Sequence, residues 1–356
     1  MIEFKIGKDL IGHNHPTYFI ADIAANHDGD LERAKKLITL AKENGANAVK
    51  FQHHNVKKYV SDYGFKSLGS KKSHQSKWNK SIFEIYKDAE VPRNWTDELI
   101  GHCNKIGITF FTTPYDLDTL RYIAPLVPAI KIGSGDINWH EMLYQASKYD
   151  IPILLATGAS NMQEVDDAVR IVNKNTKKII LMQCNTNYTG SDENFKYVNL
   201  NVLKTYKTIY QDLILGLSDH TRGAITVLGS IALGAKVIEK HFTDDTKRDG
   251  PDHPFSMDPS AWKKMVDDAR ILESSLGGYI KKVEANEKET IILQRRSIRV
   301  TKSLEIGEKI SNNVIEYQRP CPLDAININE SNSIIGKEIS KPIENGDYLR
   351  KEHIKW

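Results

Sequence analysis

The chain has 356 residues, 40% hydrophobic and 27% charged, with 49 Lys and Arg against 46 Asp and Glu. This near balance lacks the basic footprint of a nucleic-acid binder, and no apolar run approaches the roughly 18 residues of a membrane span. Three distant cysteines, Cys103, Cys184 and Cys321, predict free thiols in a reducing compartment, and residues 1–16 mix charge and His with no apolar signal core. The expectation is a soluble cytoplasmic enzyme that binds neither nucleic acid nor membrane.

From about residue 18 to 275, short apolar runs alternate with helical patterns. The runs are 18–24, 48–52, 109–114, 129–134, 151–158, 178–184, 214–220 and 237–242, too short for helices but suited to strands buried on both faces. After the first run, Leu31, Ala34, Leu37, Ile38 and Ala41 trace one helical face, and Asn44-Gly45 stops it. After the second, some forty residues pass before the next clear helix near Thr96. This insertion carries Lys57, Lys58, Tyr63, Phe65, Lys71, Lys72, His74, Trp78 and Lys80, and its aromatics predict a packed lid over an inert loop. Further helices are legible near 96–107, 140–149, 162–174, 224–234 and 260–275.

Eight strand–helix units predict an α/β fold, a (β/α)8 TIM barrel over residues 1–277. A doubly wound open sheet is the alternative, but its glycine-rich first turn is missing from Ala24-Ala-Asn-His-Asp-Gly29. Beyond Gly277-Gly278 the polar stretch 278–294 reads as a linker. Residues 295–356 contain a repeat: 301–315 aligns without gaps on 340–354, with Lys302/Lys341, Glu305/Glu344, Gly307/Gly346 and Ile315/Ile354 identical. Two copies of one hairpin-like unit predict a small pseudo-symmetric β domain.

Barrel chemistry sits at the C-terminal strand ends. Here they offer Asp22, then Lys50, Gln52 and His54, then Thr113, then Lys131, Ser134 and Asp136, then Thr157, then Thr186 and Tyr188, then Ser218, Asp219 and His220, then Glu239 and His241. Such groups on apolar strands must be partnered or bind something. Lys50 and Lys131, read as lying on neighbouring strands, must each meet a buried anion: either an internal carboxylate, Asp22 or Glu239, or a bound phosphate or carboxylate helped by Ser134 and nearby backbone NH groups. His220 and His241, ending adjacent late strands, could share a divalent metal.

These residues carry a family resemblance. Asp22-Ile-Ala-Ala-Asn-His-Asp-Gly29, Lys131-Ile-Gly-Ser-Gly-Asp136, Gly216-Leu-Ser-Asp-His-Thr221, Glu239-Lys-His-Phe-Thr-Asp244 and Gly250-Pro-Asp-His253 resemble the sialic acid (N-acetylneuraminate) synthase family, in order and over essentially the whole chain. The C-terminal repeat resembles that family's antifreeze-like (SAF) domain. The resemblance implies condensation of phosphoenolpyruvate with an N-acylated hexosamine such as N-acetylmannosamine, giving a nonulosonic acid and phosphate. It implies a divalent metal, Mn2+ or Mg2+, on His220 and His241, with Asp22 managing protons. Phosphoenolpyruvate would meet Lys50, Thr113, Lys131, Ser134, Thr186, Tyr188 and Ser218. The sugar would meet Gln52, Tyr115, Asp136 and Asp252. Arg319 from the antifreeze-like domain of a partner, in a domain-swapped homodimer, would close the site.

The chain departs from the family pattern at three places. Asp22 and Asp136 stand where the family commonly has Glu, each retracting a carboxylate by one methylene. Cys184-Asn-Thr-Asn-Tyr188 replaces a Cys-Thr-Asn or Cys-Thr-Ser pattern around Thr186, and the lysine-rich insertion is enlarged. The shorter Asp136 leaves room for a different C4–C6 region, as in legionaminic or pseudaminic acid precursors. The competing readings are a synthase acting on a phosphorylated sugar, which Asp136 and Asp252 oppose, and a non-catalytic carbohydrate- or ice-binding protein. The charges at Lys302, Glu305, Glu308, Lys309 and Arg350 oppose the latter.

Overall fold

The computed structural model describes residues 2–68, 75 and 80–356, and the chain divides into two compact units, Met1–Gly277 and Gly278–Trp356. The first begins with a hairpin that the sequence reading did not anticipate, β1 (Glu3–Ile6) paired antiparallel with β2 (Asp9–Gly12). Gly7 turns it at φ +58°, a conformation open to glycine. The alternation of Phe4 and Ile6, then Ile11, turns apolar side chains into the barrel core. Lys8 donates to the Gly107 carbonyl and Lys236 to the His15 carbonyl, tying the hairpin region to the N-terminal side of the strands.

All eight apolar runs become barrel strands: β3 (Tyr18–Asp22), β4 (Ala48–His53), β5 (Thr109–Pro114), β6 (Ile130–Ile132), β7 (Ile153–Ala156), β8 (Ile179–Cys184), β9 (Ile214–Asp219) and β10 (Val237–His241). They pair in sequence order, and β10 returns to pair in parallel with β3, closing the barrel. Closure removes the doubly wound alternative, which needs two open edges. The strands are almost wholly buried because the barrel fills one face and helices cover the other.

The first helix, Leu31–Glu43, buries Ala34, Leu37, Ile38 and Ala41, and the Asp30 carboxylate caps it by accepting from the Glu32 and Arg33 amides. Helices Leu117–Ile123 and Val202–Ile209, whose periods are too short to stand out, complete the outer ring. The insertion folds into short helices Val56–Tyr59, Asp62–Ser67 and Ile82–Asp88, around a small cluster of Val56, Val60 and Ile82 with Tyr59, Phe65, Phe83 and Tyr86. Lys71, Lys72, His74 and Trp78 lie outside the described residues.

The second unit is more than linker at its start, because 278–294 contains the helix Lys288–Gln294. Its amphipathic Ile291-Ile292-Leu293 is masked in sequence by the charges around it. Strands β11 (Ser297–Val300) and β12 (Ile315–Gln318) pair antiparallel. The repeat is realised as a pseudo-twofold. Leu304 and Ile343, equivalent in the alignment, exchange both backbone hydrogen bonds at 2.9 and 3.0 Å. The relation extends outward: the Gly307 amide donates to Ile339 and the Gly346 amide to Val300, while Ile310 donates to Lys337 and Leu349 to Ile298. Both turn glycines have positive φ, +87° and +84°. The core between the copies is aliphatic, including Ile298, Val300, Ile310, Ile339, Leu349 and Ile354.

Candidate active site

Inward and outward side chains alternate along each strand, and barrel layers are drawn from alternate strands. Lys50 on β4, Lys131 on β6 and Glu239 on β10 all belong to the even set. This corrects the sequence reading: β5 separates the two lysines, so they are not on neighbouring strands. They nonetheless meet. Lys131 Nζ is 2.6 Å from Glu239 Oε1, and Lys50 Nζ is 3.5 Å from the same oxygen and 2.8 Å from Asp22 Oδ2. Ser218 Oγ donates to Glu239 at 3.1 Å, and Lys50 lies 3.4 Å from Thr113 Oγ1.

All four charges are buried. Burial works against ionisation of Glu239, but Lys131 and Lys50 outweigh it and hold the carboxyl at about 2. At Asp22 burial dominates and pushes the carboxyl upward despite Lys50 beside it. Glu239 Oε2 is buried with no hydrogen-bond partner. Glu239 was read at a strand end but not among the candidate site residues; only barrel closure, which places β10 against β3, shows it as the hub of this network.

A second cluster lies one step further out. The rings of His220 and His241 are 5.4 Å apart, flanked by Tyr188 at 4.3 Å from His220 and Phe255 at 4.9 Å from His241. His220 Nδ1 lies 2.8 Å from the Asn185 carbonyl, which fixes that nitrogen as the donor. Burial lowers His220 to about 3, helped by His241, and lowers His241 to about 4, so both rings are neutral at neutral pH. His241 Nδ1 is buried without a hydrogen bond, with Asp252 Oδ2 at 3.8 Å and Asp22 Oδ2 3.5 Å from the other ring nitrogen. Two neutral imidazoles, one with an unsatisfied nitrogen, fit a divalent ion whose remaining positions are filled by carboxylate, water or substrate. Among the described residues no three such side chains form a closed cage.

Gln52, Tyr115, Tyr188, His241 and Asp252, drawn from five different segments, line one cavity of about 100 Å³. The insertion contributes Tyr59 and Tyr86 to it, with Tyr59 tilted against Tyr115 at 4.3 Å; of the aromatics singled out in sequence, Phe65 packs in the insertion's own cluster and Tyr63 is exposed. A larger cavity of about 630 Å³ shares Ala25, Tyr188 and Pro251 with it. Asp136 follows β6 and is partly buried, which pushes its carboxyl up to about 6. Ser134 Oγ accepts the Gly158 amide at 2.9 Å. A Cβ at Gly158 would sit 2.5 Å from the Thr186 methyl, so glycine there lets Ser134 and Thr186 close in. Arg319 belongs to the second unit, exposed just after β12.

A clasp missed by sequence reasoning sets the position of Asp252. The loop after β3 turns through Ala24, a non-glycine residue at φ +44°, and presents the Ala25 amide to Asp252 Oδ2 at 3.1 Å. Further along, Asp28 accepts from buried His253 at 2.9 Å and from Arg248 at 2.8 Å, while Asn26 donates to the Phe242 carbonyl and to Ser256. The motif residues 26–28 and 253 were legible as a pattern, but their pairing was not, since they lie over 220 positions apart.

Residues 37–281 match the family model described as the NeuB family. The chain belongs to the NeuB family. It is 33% identical over 339 residues to an N,N'-diacetyllegionaminic acid synthase of Campylobacter jejuni, covering 94% of this chain and 99% of that protein. It is 31% identical over 276 residues to the N-acetylneuraminate-9-phosphate synthase of Homo sapiens, covering 77% and 75%. Among solved structures, the N-acetylneuraminic acid synthetase of Leptospira borgpetersenii in complex with citrate superposes with a TM-score of 0.71 at 30% identity, covering 82% and 95%. This NeuB-family chain is therefore an enzyme, a carbohydrate-biosynthetic synthase with the barrel of its relatives.

Proposed function

We propose that this NeuB-family enzyme condenses phosphoenolpyruvate and water with an unphosphorylated N-acylated hexosamine, giving a nonulosonic acid and phosphate. The observation that carries this reading is the convergence of the buried Lys50 and Lys131 on Glu239, with Asp22 beside Lys50, among the barrel strands. Burying two ammonium groups costs several kcal/mol each before compensation. Asp22 and Glu239 supply part of that compensation, and a polyanionic substrate would add to it during turnover.

His220 and His241 are the residues that would hold Mn2+ or Mg2+, which would supply Lewis-acid polarisation of the sugar aldehyde. Lys50 and Lys131 bind the phosphate and carboxylate, with Thr113, Ser134, Thr186, Tyr188 and Ser218 completing the hydrogen bonds. C3 of phosphoenolpyruvate forms the new bond to the aldehyde carbon. Asp22, 2.8 Å from Lys50, is placed to take the proton of the water that adds at C2. The resulting tetrahedral species expels phosphate by C–O cleavage, and the lysines offset the charge that leaves with it. Gln52, Tyr115, Asp136 and Asp252 orient the sugar.

Among the described residues no lysine or arginine lines the 100 Å³ cavity, which we read against a phosphate bound there, whereas Lys80 and Arg248 line the larger cavity beside it. The tyrosine faces of the insertion, the short Asp136 and the Campylobacter relative's name support a diacetylated acceptor over N-acetylmannosamine. We also read the second unit as an antifreeze-like domain that acts in a domain-swapped homodimer, with the partner copy's Arg319 side chain closing on the sugar. The test is incubation with phosphoenolpyruvate, Mn2+ and a panel of mono-N-acetylated, di-N-acetylated and 6-phosphorylated hexosamines, following phosphate and 2-keto acid. Release with an unphosphorylated N-acylated sugar is expected. No release with any of them, from folded metal-supplied protein, overturns the reading. Arg319→Ala should raise the sugar KM well above any change for phosphoenolpyruvate; equal changes remove Arg319 from the sugar site.

A further inference from the structure

Directly behind the two histidines, on the outer face of the barrel, lies a second buried ion pair. Lys240 and Asp219 are register partners on adjacent β10 and β9, one residue before His241 and His220 respectively. Because side chains alternate, Ser218, His220, Glu239 and His241 turn inward while Asp219 and Lys240 turn toward the helices. Their charged atoms meet at 2.6 Å, with side-chain exposures of only 2% and 1%.

Every contact of this pair is directional. Asp219 also accepts from Thr226 at 2.7 Å, from the Thr221 hydroxyl at 2.9 Å and from the Thr221 amide at 3.1 Å. Lys240 also donates to the Thr221 carbonyl at 2.6 Å. None of these charged atoms is left unsatisfied. A buried ion pair is weak evidence for stability, because apolar replacements often hold a fold equally well, but it is exacting about geometry. Thr221 is bound on both sides, so the backbone on either side of His220 is held, and β10 is held to it at the residue before His241.

We propose that Asp219 and Lys240 are positioning residues that fix the separation and tilt of the His220 and His241 rings, and so the metal affinity of the site. The proposal rests on the reading of those histidines as the metal pair. It explains why two charges end outer faces that are otherwise apolar, with Leu215 and Leu217 on β9 and Ile238 on β10. Residues that orient metal ligands typically contribute 10- to 100-fold in affinity.

The test uses the full chain and the double variant Asp219→Leu with Lys240→Met, whose apolar pair of similar volume can keep the barrel folded. Free Mn2+ is followed by electron paramagnetic resonance in titrations without substrate, alongside thermal melting and the nitrogen shifts of the two imidazoles by NMR. The expected result is a melting temperature near that of the parent, Mn2+ affinity at least 10-fold weaker, and a shifted His220 Nδ1 resonance as its bond to the Asn185 carbonyl changes. Parent-like Mn2+ affinity and ring shifts in the folded double variant would overturn the proposal. If the double variant melts early, Asp219→Asn with Lys240→Met, which leaves no unpaired buried charge, takes its place under the same criteria. If the parent binds no Mn2+, the metal reading fails, and the imidazole shifts alone decide whether the pair positions the rings.

Discussion

The two units bury different kinds of side chain. In the barrel unit Asp22, Lys50, Lys131 and Glu239 are charged and buried together at the mouth, and Asp219 and Lys240 are buried as a second pair on the outer face behind it. In the second unit, among the described residues, Ser297 and His353 are the only buried polar side chains, inside a core of isoleucine, leucine and valine. The barrel repeats a structural unit eight times but breaks the repeat in chemistry, with carboxylates, lysines, hydroxyls and imidazoles distributed unevenly over the strand ends. The second unit repeats both its backbone pairing and its chemistry about a pseudo-twofold. Broken symmetry marks where chemistry is done, and kept symmetry marks a unit whose core answers only to packing.

The sharpest break of this contrast comes from the mouth. Lys131→Met should lower phosphate release by about 10²- to 10³-fold at saturating substrates, the cost of removing one preorganised donor; a loss under tenfold would show that Lys131 serves only Glu239. In the core of the second unit the response should be purely structural. Leu304→Ala should cost about 2–5 kcal/mol, read by hydrogen exchange of that unit's amides. Combined with Ile343→Ala, its pseudo-symmetry mate, it should depart from additivity by at least about 0.5 kcal/mol.

Smaller effects probe the edges of the mouth. His253→Gln loosens the clasp on Asp252 and should lower kcat/KM for the sugar about tenfold while leaving the phosphoenolpyruvate KM nearly unchanged, measured by varying each substrate in turn. Asp136→Asn should act through pH. The Asp136 carboxyl stands at about 6 against an ordinary 3.8, so its burial costs nothing below the lower value, a growing amount between the two, and the full amount above the higher. The variant should therefore gain stability relative to the parent as pH rises from 5 to 8, by of order 1 kcal/mol after allowing for partial exposure, seen as diverging melting temperatures.

The eight strands were legible because each is an apolar run buried on both faces, and the inward candidates followed from the period of two. Gln52, Tyr115, Tyr188, His241 and Asp252 were legible as residue types and do line one cavity. What remained hidden depends on closure. Asp22 and Glu239 were named as possible internal partners of Lys50 and Lys131 and both do pair with them, but nothing in the spacing says that the two lysines share a layer across β5 or that Glu239 serves both. Asp219 was read with the mouth residues, but it faces away from the mouth and pairs there with Lys240, on a face where sequence reasoning expects apolar packing. The β1–β2 hairpin escaped because its two alternating strands are only four residues each.

That hairpin has a consequence for traffic. With Ile6 and Ile11 inserted into the core and Lys8 fastened to the Gly107 carbonyl, it sits on the N-terminal side of the barrel. In the proposed reaction, phosphate released among the lysines would leave through the mouth, past the pocket proposed for the new nonulosonic acid, so the larger product would clear the way first. Departure in that order would make inorganic phosphate compete directly with incoming phosphoenolpyruvate and leave the sugar's entry as the last event before each turnover.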